Sequence, residues 1–156
     1  MKSIYIIEPF ITFRLVNFYS IRLDEDSLSE ADKFFQRFRQ DATYHRDLMA
    51  ISVFLKEMGT RRHAKDRLFR FEKDAHALPA KWIQNKLRLY CIRLSDEIVI
   101  LGNGGIKTTR TAQDSEDLSM KFHTINRLAR LINTQMRERA LWADGKYLFG
   151  DLELFT

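Results

Sequence analysis

The sequence contains a single cysteine, Cys91, among its 156 residues. One thiol cannot close an intramolecular disulfide, so packing has to hold the fold together, and a reducing compartment is the expected setting. Because Cys91 lies in an apolar, strand-forming run, we expect it to be a small buried hydrophobe rather than a nucleophile.

Long apolar segments are also missing. The longest uncharged run, residues 98–106, has nine residues, whereas a transmembrane helix needs about 20. Near the N-terminus, Glu8 and Pro9 interrupt an apolar run before it could form the core of a signal peptide. We therefore expect a cytoplasmic protein with no membrane partner.

Motifs for common cofactors are absent as well. The chain has no GxxxxGK(S/T) phosphate loop and no HExxH, and its four histidines are scattered. The Gly102-Asn103-Gly104-Gly105 segment follows a predicted strand but lacks the GxGxxG spacing of a dinucleotide site. The sequence therefore predicts neither a cofactor nor a metal site.

The chain does have enough apolar content for a core, together with an excess of positive charge. Hydrophobic residues make up 45% and charged residues 30%, which is typical of a soluble globular domain. We expect one domain over residues 1–156. The 26 Lys and Arg outnumber the 21 Asp and Glu, giving a net charge of +5, which is compatible with an anionic partner such as nucleic acid.

Branched and aromatic residues predict several strands outside the centre of the chain. Residues 4–7 and 10–23 should form two N-terminal strands, with Pro9 at the joint and a bulge near Asn17. An edge strand is possible at residues 67–71, and residues 74–85 lack periodicity and are predicted to form a loop. One or two short strands should follow an Asp144-Gly145 turn, within residues 147–155.

Three helices are predicted. Ser27-Leu28-Ser29-Glu30 has the spacing of a capping box and indicates the start of the first helix. A second helix is expected over residues 43–59, with Gly59 as the residue that follows its end, and the two should form an antiparallel hairpin on the sheet. The longest helix is predicted over residues 117–139, capped by Asp114 or Ser115.

The densest run of strand-forming residues lies at the centre. Residues 87–94 and 98–101 should form a β-hairpin around a Ser95-Asp96 turn. The second arm has no polar alternation, so it should be a central strand covered on both faces. The glycines of residues 102–105 are predicted to break the sheet, because glycine tolerates positive φ.

The most basic window of the chain is residues 59–73. It supplies five candidate RNA-binding residues: Arg61, Arg62, Lys65, Arg67 and Arg70. An equally open interpretation is a solvated loop followed by an edge strand.

The segment after the glycines resembles a known family. An Arg and an aromatic residue in the first hairpin arm (Arg88 and Tyr90), an aliphatic second arm, a small-residue break, a Lys/Thr-rich segment and a C-terminal helix are similar to the RelE/ParE superfamily of bacterial toxins. The nearest branch is the HigB-like, phage-related one. Its members often read LhGFxKKTxKTP, and residues 101–112 here read LGNGGIKTTRTA. The basic and hydroxyl positions of the pattern are occupied by Lys107, Thr108, Arg110 and Thr111, and it is broken at Gly104, Ile106 and Ala112.

The resemblance covers about residues 27–138 and implies an α+β fold. Its parts would be N-terminal strands, a two-helix hairpin packed on a mostly antiparallel sheet, and a long C-terminal helix. Residues 1–26 and 141–156 would be additions to the family domain.

The resemblance also implies an activity. Members of this branch typically cut messenger RNA at the ribosome, by attack of a ribose 2′-oxygen on the adjacent phosphorus, as toxins of type II toxin–antitoxin systems that inhibit growth. The implied catalytic residues are Lys107, Arg110, Arg88 and Tyr90, of which Lys107 and Arg110 would bind the scissile phosphate. His76 is a further candidate for proton transfer. The implied partners are a cognate antitoxin, the ribosome and messenger RNA.

Two other classes of function stay open. A toxin of the ParE type would block a protein target and catalyse nothing, and a basic α+β interaction protein would have no enzymatic activity. The N-terminal strands could also serve a homodimer. No acidic general base stands out near Lys107 in the sequence.

Overall fold

The computed structural model of the protein describes residues 2–108 and 115–156. The helices are α1 (Glu30–Arg39), α2 (His45–Glu57) and α3 (Glu116–Arg137), and α2 continues as a wide helical turn over Met58–Arg62. The strands are β1 (Ile4–Thr12), β2 (Asn17–Leu23), β3 (Arg70–Glu72), β4 (Ala75–Leu78), β5 (Leu87–Arg93), β6 (Ile98–Ile106), β7 (Leu141–Asp144), β8 (Tyr147–Gly150) and β9 (Glu153–Phe155).

One seven-stranded sheet organises the fold, in the order β3-β4-β5-β6-β2-β1-β9. All neighbouring strands are antiparallel except β2 and β6, which run parallel with Asn17 beside Ile98 and Ser20 beside Leu101. The remaining strands, β7 and β8, form a separate antiparallel hairpin. The predicted α+β class with a mostly antiparallel sheet is confirmed.

Helices cover both faces of the sheet. On the face that we call the α1–α2 face, Phe34, Phe38 and Ile51 pack against alternate sheet residues such as Val99. On the opposite face, the α3 face, Phe122 and the following apolar residues of α3 pack against the other set of sheet residues. Each face excludes water because every second strand residue points into it.

The central hairpin and the long helix agree with the sequence prediction. Strand β6 begins with residues that are fully buried, from Ile98 to Leu101, and lies in the middle of the sheet between β5 and β2. Cys91 is buried in β5, and burial raises the pKa of its thiol, as expected for an inert core residue. The α3 helix lies within two residues of its predicted bounds.

The glycines do not break the sheet, and the predicted break is wrong. Strand β6 runs through them to Ile106, and none of these glycines has positive φ. Their missing side chains matter for a different reason. A β-carbon at Gly104 would collide with the Arg88 carbonyl, and one at Gly105 would collide with the Asp117 carboxylate of α3.

The predicted N-terminal strands are wrong in their boundaries. Strand β1 runs through Pro9 to Thr12, and the bulge lies at Phe10 of β1 rather than near Asn17. Because β9 pairs only with residues 4–6 of β1, one side of β1 is an open edge at Pro9. A strand tolerates proline at such an edge, where the missing N–H breaks no ladder.

The first two helices form as predicted, with shifted ends. The cap of α1 is Ser29, whose Oγ accepts a hydrogen bond from the Asp32 N–H at 3.1 Å, so the capping box at Ser27 is wrong by two residues. Gly59 lies inside the wide helical turn after α2 rather than beyond the helix end. A side chain at Gly59 would overlap the ring of Phe13, which explains why glycine occupies the position.

The segment between the helix hairpin and β5 is more ordered than predicted. Residues 74–85 contain β4, so the predicted loop is wrong, and the strand predicted at residues 67–71 begins only at Arg70. Strand β4 is too short to reveal a period, and tertiary contact supports it: Asn126 Oδ1 of α3 accepts hydrogen bonds from the Asp74 and Ala75 N–H groups at 2.7 and 2.9 Å. The turn at Gly145 and the short strands after it are confirmed.

Candidate functional site

Two of the predicted catalytic residues meet at the open end of the β5–β6 hairpin. Lys107 follows β6, and its N–H donates to the Lys86 carbonyl at 2.9 Å, while Arg88 lies opposite Gly105 in the β5–β6 register. The Arg88 side chain is 8% exposed, and its Nη1 donates to the carbonyls of Asn85 and Leu87 at 2.8 Å each. Backbone carbonyls therefore fix the direction of this guanidinium.

Arg70 reaches the same region from the edge strand. It pairs with Ala77 of β4, which in turn pairs with Tyr90 of β5. Directly paired residues share a face of the sheet, and Ala77 and Tyr90 belong to the α3 face. Arg70 therefore lies on the α3 face, where Nε donates to the Pro79 carbonyl at 2.8 Å.

A carboxylate that the sequence analysis did not single out lies among these cations. Glu72 pairs with Ala75 and so shares the α3 face with Arg70. Burial raises the pKa of Glu72, and the charges of Lys107, Arg70 and Arg88 act on it in the opposite direction. Within residues 2–108 and 115–156, Glu72 has no ion pair at 4.0 Å or closer. It is thus surrounded by positive charge without being paired.

The electrostatics of Lys107 mirror those of Glu72. Burial, followed by the charges of Arg88 and Arg70, lowers the pKa of Lys107, and the Glu72 carboxylate raises it. Mutual repulsion among three cations is expected to be relieved by a bound anion. The cluster of Arg70, Glu72, Arg88 and Lys107, which we call the basic cluster, therefore has the charge pattern of an anion site that also holds a weak base.

A polar cavity opens beside the basic cluster. Its volume is about 600 Å³, within the roughly 300–1,000 Å³ usual for ligand sites. Its lining comes from α2, from the segment before β5 and from the end of β6: Asp47, Gln84, Asn85, Lys86, Arg88, Lys107 and Thr108. Arg88 and Lys107 thus face both the cavity and the rest of the basic cluster.

The start of α3 holds the Lys107 segment in place. The Asp117 carboxylate accepts from the Ile106 N–H at 2.6 Å and pairs with Arg37 at 3.0 Å. Ser115 Oγ donates to the Ile106 carbonyl at 3.1 Å and lies 3.2 Å from Thr108 Oγ1. These contacts tie the end of β6 to the helix. Arg110, with Thr111 and the alternative cap Asp114, falls outside the described residues.

Tyr90 lies beneath the basic cluster rather than in the cavity. It is fully buried, and its hydroxyl has no hydrogen-bond partner among the residues that the structure describes. Burial raises the pKa of Tyr90, so the hydroxyl stays protonated. Its ring packs against Phe122 with a centroid separation of 6.1 Å.

The other predicted RNA-binding residues do not join Arg70. Arg61, Arg62, Lys65 and Arg67 belong to the segment that packs on the α1–α2 face through Ala64 and Leu68. Lys65 pairs with Asp96 at 2.7 Å and Arg62 with Glu57 at 3.8 Å. The basic window is therefore divided between the two faces, with only Arg70 on the α3 face.

His76 is separated from the basic cluster by the sheet. It pairs with Cys91, a residue of the α1–α2 face, and its Nδ1 accepts from the Arg93 N–H at 3.3 Å. Burial lowers the pKa of His76, which favours the neutral ring. The geometry gives Glu72, rather than His76, access to the neighbourhood of Lys107.

Only the register of the sheet could have identified Glu72. Its one local signal is the Arg70-x-Glu72 spacing, which puts both side chains on the same face if the segment is a strand. Neither the strand nor its distance from Lys107, 35 positions later in the chain, can be read from that spacing.

The comparisons with known proteins identify no relative. No protein-family model, curated protein or solved structure matches the chain. Among the described residues, no helix combines the length and apolar character required to cross a membrane. The same part of the chain contains no group of three or more His, Cys, Asp or Glu residues that could hold a metal ion.

Proposed function

We propose that the protein is an endoribonuclease that cuts messenger RNA as the toxin of a toxin–antitoxin pair, the activity that the RelE/ParE resemblance implies. The observation that carries the proposal is the convergence of Arg70, Arg88 and Lys107 around the unpaired carboxylate of Glu72. A phosphodiester needs cations for its oxygens and a base for the attacking hydroxyl, and this cluster supplies both.

The chemistry can be assigned to the side chains of the basic cluster. Glu72 would accept the proton of the ribose 2′-hydroxyl as its oxygen attacks the adjacent phosphorus. The bond from phosphorus to the 5′-oxygen would break, leaving a 2′,3′-cyclic phosphate and a 5′-hydroxyl. Lys107, whose pKa is lowered by burial, would donate the proton to the departing oxygen, and Arg88 and Arg70 would stabilise the charge on the phosphate oxygens.

The position of Glu72 supplies the acidic group that the sequence analysis did not find near Lys107. Burial raises the pKa of Glu72, which brings a carboxyl group nearer to the operating pH of a general base. The fully buried hydroxyl of Tyr90 is not needed for either proton transfer in this scheme.

The proposal extends to fold and partners. A two-helix hairpin, an antiparallel sheet and a long final helix, in that order, fit a RelE-like domain in which β1 and β9 enlarge the sheet. The cognate antitoxin would cover the cavity at Arg88 and Lys107, because blocking that cavity closes the site. Messenger RNA on the cytoplasmic ribosome would be the substrate.

The reaction predicts which substrates are cut, and this tests the proposal. Purified protein is incubated with a single-stranded RNA, with the same sequence bearing 2′-O-methyl groups, and with the equivalent DNA. We expect cleavage of the RNA alone, and products ending in 2′,3′-cyclic phosphate. Cleavage of the DNA or of the methylated RNA would contradict attack by the 2′-oxygen.

Induced expression in bacteria separates the other classes of function. Growth arrest with cut transcripts, read by primer extension, is the expected result. Growth arrest with intact transcripts would indicate a non-catalytic toxin of the ParE type. Normal growth with intact transcripts would indicate an interaction protein.

A further inference from the structure

The polar cavity has one wall that the proposed chemistry does not use. Opposite Arg88 and Lys107 it is lined by Asp47 of α2 and by Gln84 and Asn85 of the segment before β5. This wall carries a carboxylate and amides rather than apolar groups. Such a lining recognises a ligand by hydrogen bonds to its edge.

Asn85 fixes the position of this wall. Its Nδ2 donates to the Asp47 carbonyl at 2.9 Å, and its Oδ1 accepts from the Leu87 N–H at 2.8 Å. Asn85 is 8% exposed, and these two bonds link the first turn of α2 to the start of β5. Asp47 is therefore held at a set distance from the hairpin that carries Arg88.

The carboxylate of Asp47 is available for a ligand. Among the described residues it has no ion pair at 4.0 Å or closer, although Lys86, Arg88 and Lys107 line the same cavity. It also lies in the first turn of α2, where the helix dipole favours the ionised form. An ionised carboxylate only accepts hydrogen bonds, so its ligand has to present donors.

We infer that this cavity holds a guanine base next to the scissile phosphate, with the Asp47 carboxylate accepting from the base. Guanine has two adjacent donors, N1–H and the N2 amino group, which match the two oxygens of a carboxylate. On its other edge guanine offers O6 and N7, the usual acceptors for Arg or Lys. Adenine and cytosine have an amino group beside a bare ring nitrogen, and uracil has one N–H between carbonyls.

The inference rests on the proposed function, because it takes the guanine to be part of an RNA substrate, but it can be tested without cleavage. Calorimetric titration compares the 3′-monophosphates of guanosine, adenosine, cytidine and uridine. A good bidentate pair discriminates by about 1–3 kcal/mol, which corresponds to roughly 5- to 150-fold in affinity. We expect guanosine monophosphate to bind at least about tenfold more tightly than the other three.

The Asp47→Asn variant should lose most of this preference, since an amide offers one acceptor where the carboxylate offers two. A matched control is Asp144→Asn, which changes an exposed carboxylate on the β7–β8 hairpin and should keep it. Because Asp47 lies near a helix start, thermal melts should accompany the titrations, and Gln84→Ala gives a second variant in the same wall that breaks no hydrogen bond of Asn85.

The outcomes separate the inference from the proposed function. Equal affinities for the four nucleotides, or a guanosine preference that survives in Asp47→Asn, would overturn the guanine pocket. RNA cleavage without preference for guanine next to the cut would reject the pocket and keep the nuclease. A guanosine preference in binding, with no RNA cut, would keep the pocket and reject the nuclease.

Discussion

Gly105 of β6 lies directly opposite Arg88 of β5, on the face that α3 covers. A side chain at Gly105 would occupy the place of the Asp117 carboxylate, which accepts from the Ile106 N–H. The glycine therefore allows the first turn of α3 to approach the strand end that leads into Lys107. Close backbone approach, rather than chain reversal, is the reason for glycine here.

We expect Gly105→Ala to destabilise the protein by about 1–3 kcal/mol, the usual cost of overpacking. Chemical denaturation measures the change. Gly102→Ala is a suitable comparison, because its β-carbon would meet the flexible end of the Ile125 side chain. A loss at Gly105 no greater than the loss at Gly102 would contradict the close approach to α3.

Tyr90→Phe removes a hydroxyl that is buried and has no hydrogen-bond partner among the described residues. Leaving such a group unsatisfied costs about 1–3 kcal/mol, so we expect the variant to be as stable as the wild type or more stable. We also expect cleavage to be retained, because the hydroxyl is closed to solvent. A hundredfold loss of cleavage would instead support the catalytic role that the sequence resemblance implies for Tyr90.

Glu72→Gln should change stability in a pH-dependent way. Burial raises the pKa of Glu72 in the folded state, so the folded protein binds more protons than the unfolded chain between the ordinary and the raised pKa. Wild-type stability then falls as pH rises through that window and stays lower above it. Glu72→Gln lacks this loss. Denaturation at several pH values should show the variant gaining on the wild type from acid to neutral pH.

Lys107→Ala is expected to reduce cleavage about a hundredfold, since one preorganised charge contact to a developing oxyanion is worth about 3 kcal/mol. The fold should keep its stability within about 0.5 kcal/mol, because the side chain is partly exposed and the hydrogen bond to Lys86 comes from the backbone. Lys56→Ala, an exposed cation on α2, is the control. Equal activity in both variants would remove Lys107 from the site.

The pH dependence of cleavage should be bell-shaped, with its acid limb above the ordinary range of a carboxyl group and its basic limb below that of a lysine. Burial causes both displacements, because it raises the pKa of Glu72 and lowers the pKa of Lys107. Steady-state kcat/KM across pH measures the profile. The acid limb should disappear in Glu72→Gln, and an unchanged acid limb would assign the base to another group.

The basic window shows how far a linear pattern reaches. Clustering in sequence suggested that Arg61, Arg62, Lys65, Arg67 and Arg70 would act together, but the chain passes from the α1–α2 face into β3 between Leu68 and Arg70. Positions near one another along the chain then point to opposite sides of the sheet. Residues distant in sequence, Arg70 and Lys107, come together because β4 and β5 bring the edge strand towards the end of β6.

The sequence by itself determined the elements whose pattern is local and repeated: the apolar period of α3, the two helices before it, and the Leu87–Arg93 and Ile98–Ile106 hairpin. A face or period is a property of neighbouring residues, so propensity and burial agree there without further information. Tertiary structure alone decided why Gly104 and Gly105 are glycines, that β4 exists, and that Glu72 lies among Arg70, Arg88 and Lys107. Each of these depends on groups far apart in the chain, on the Asp117 carboxylate, the Asn126 amide and the strand register, which no local pattern encodes.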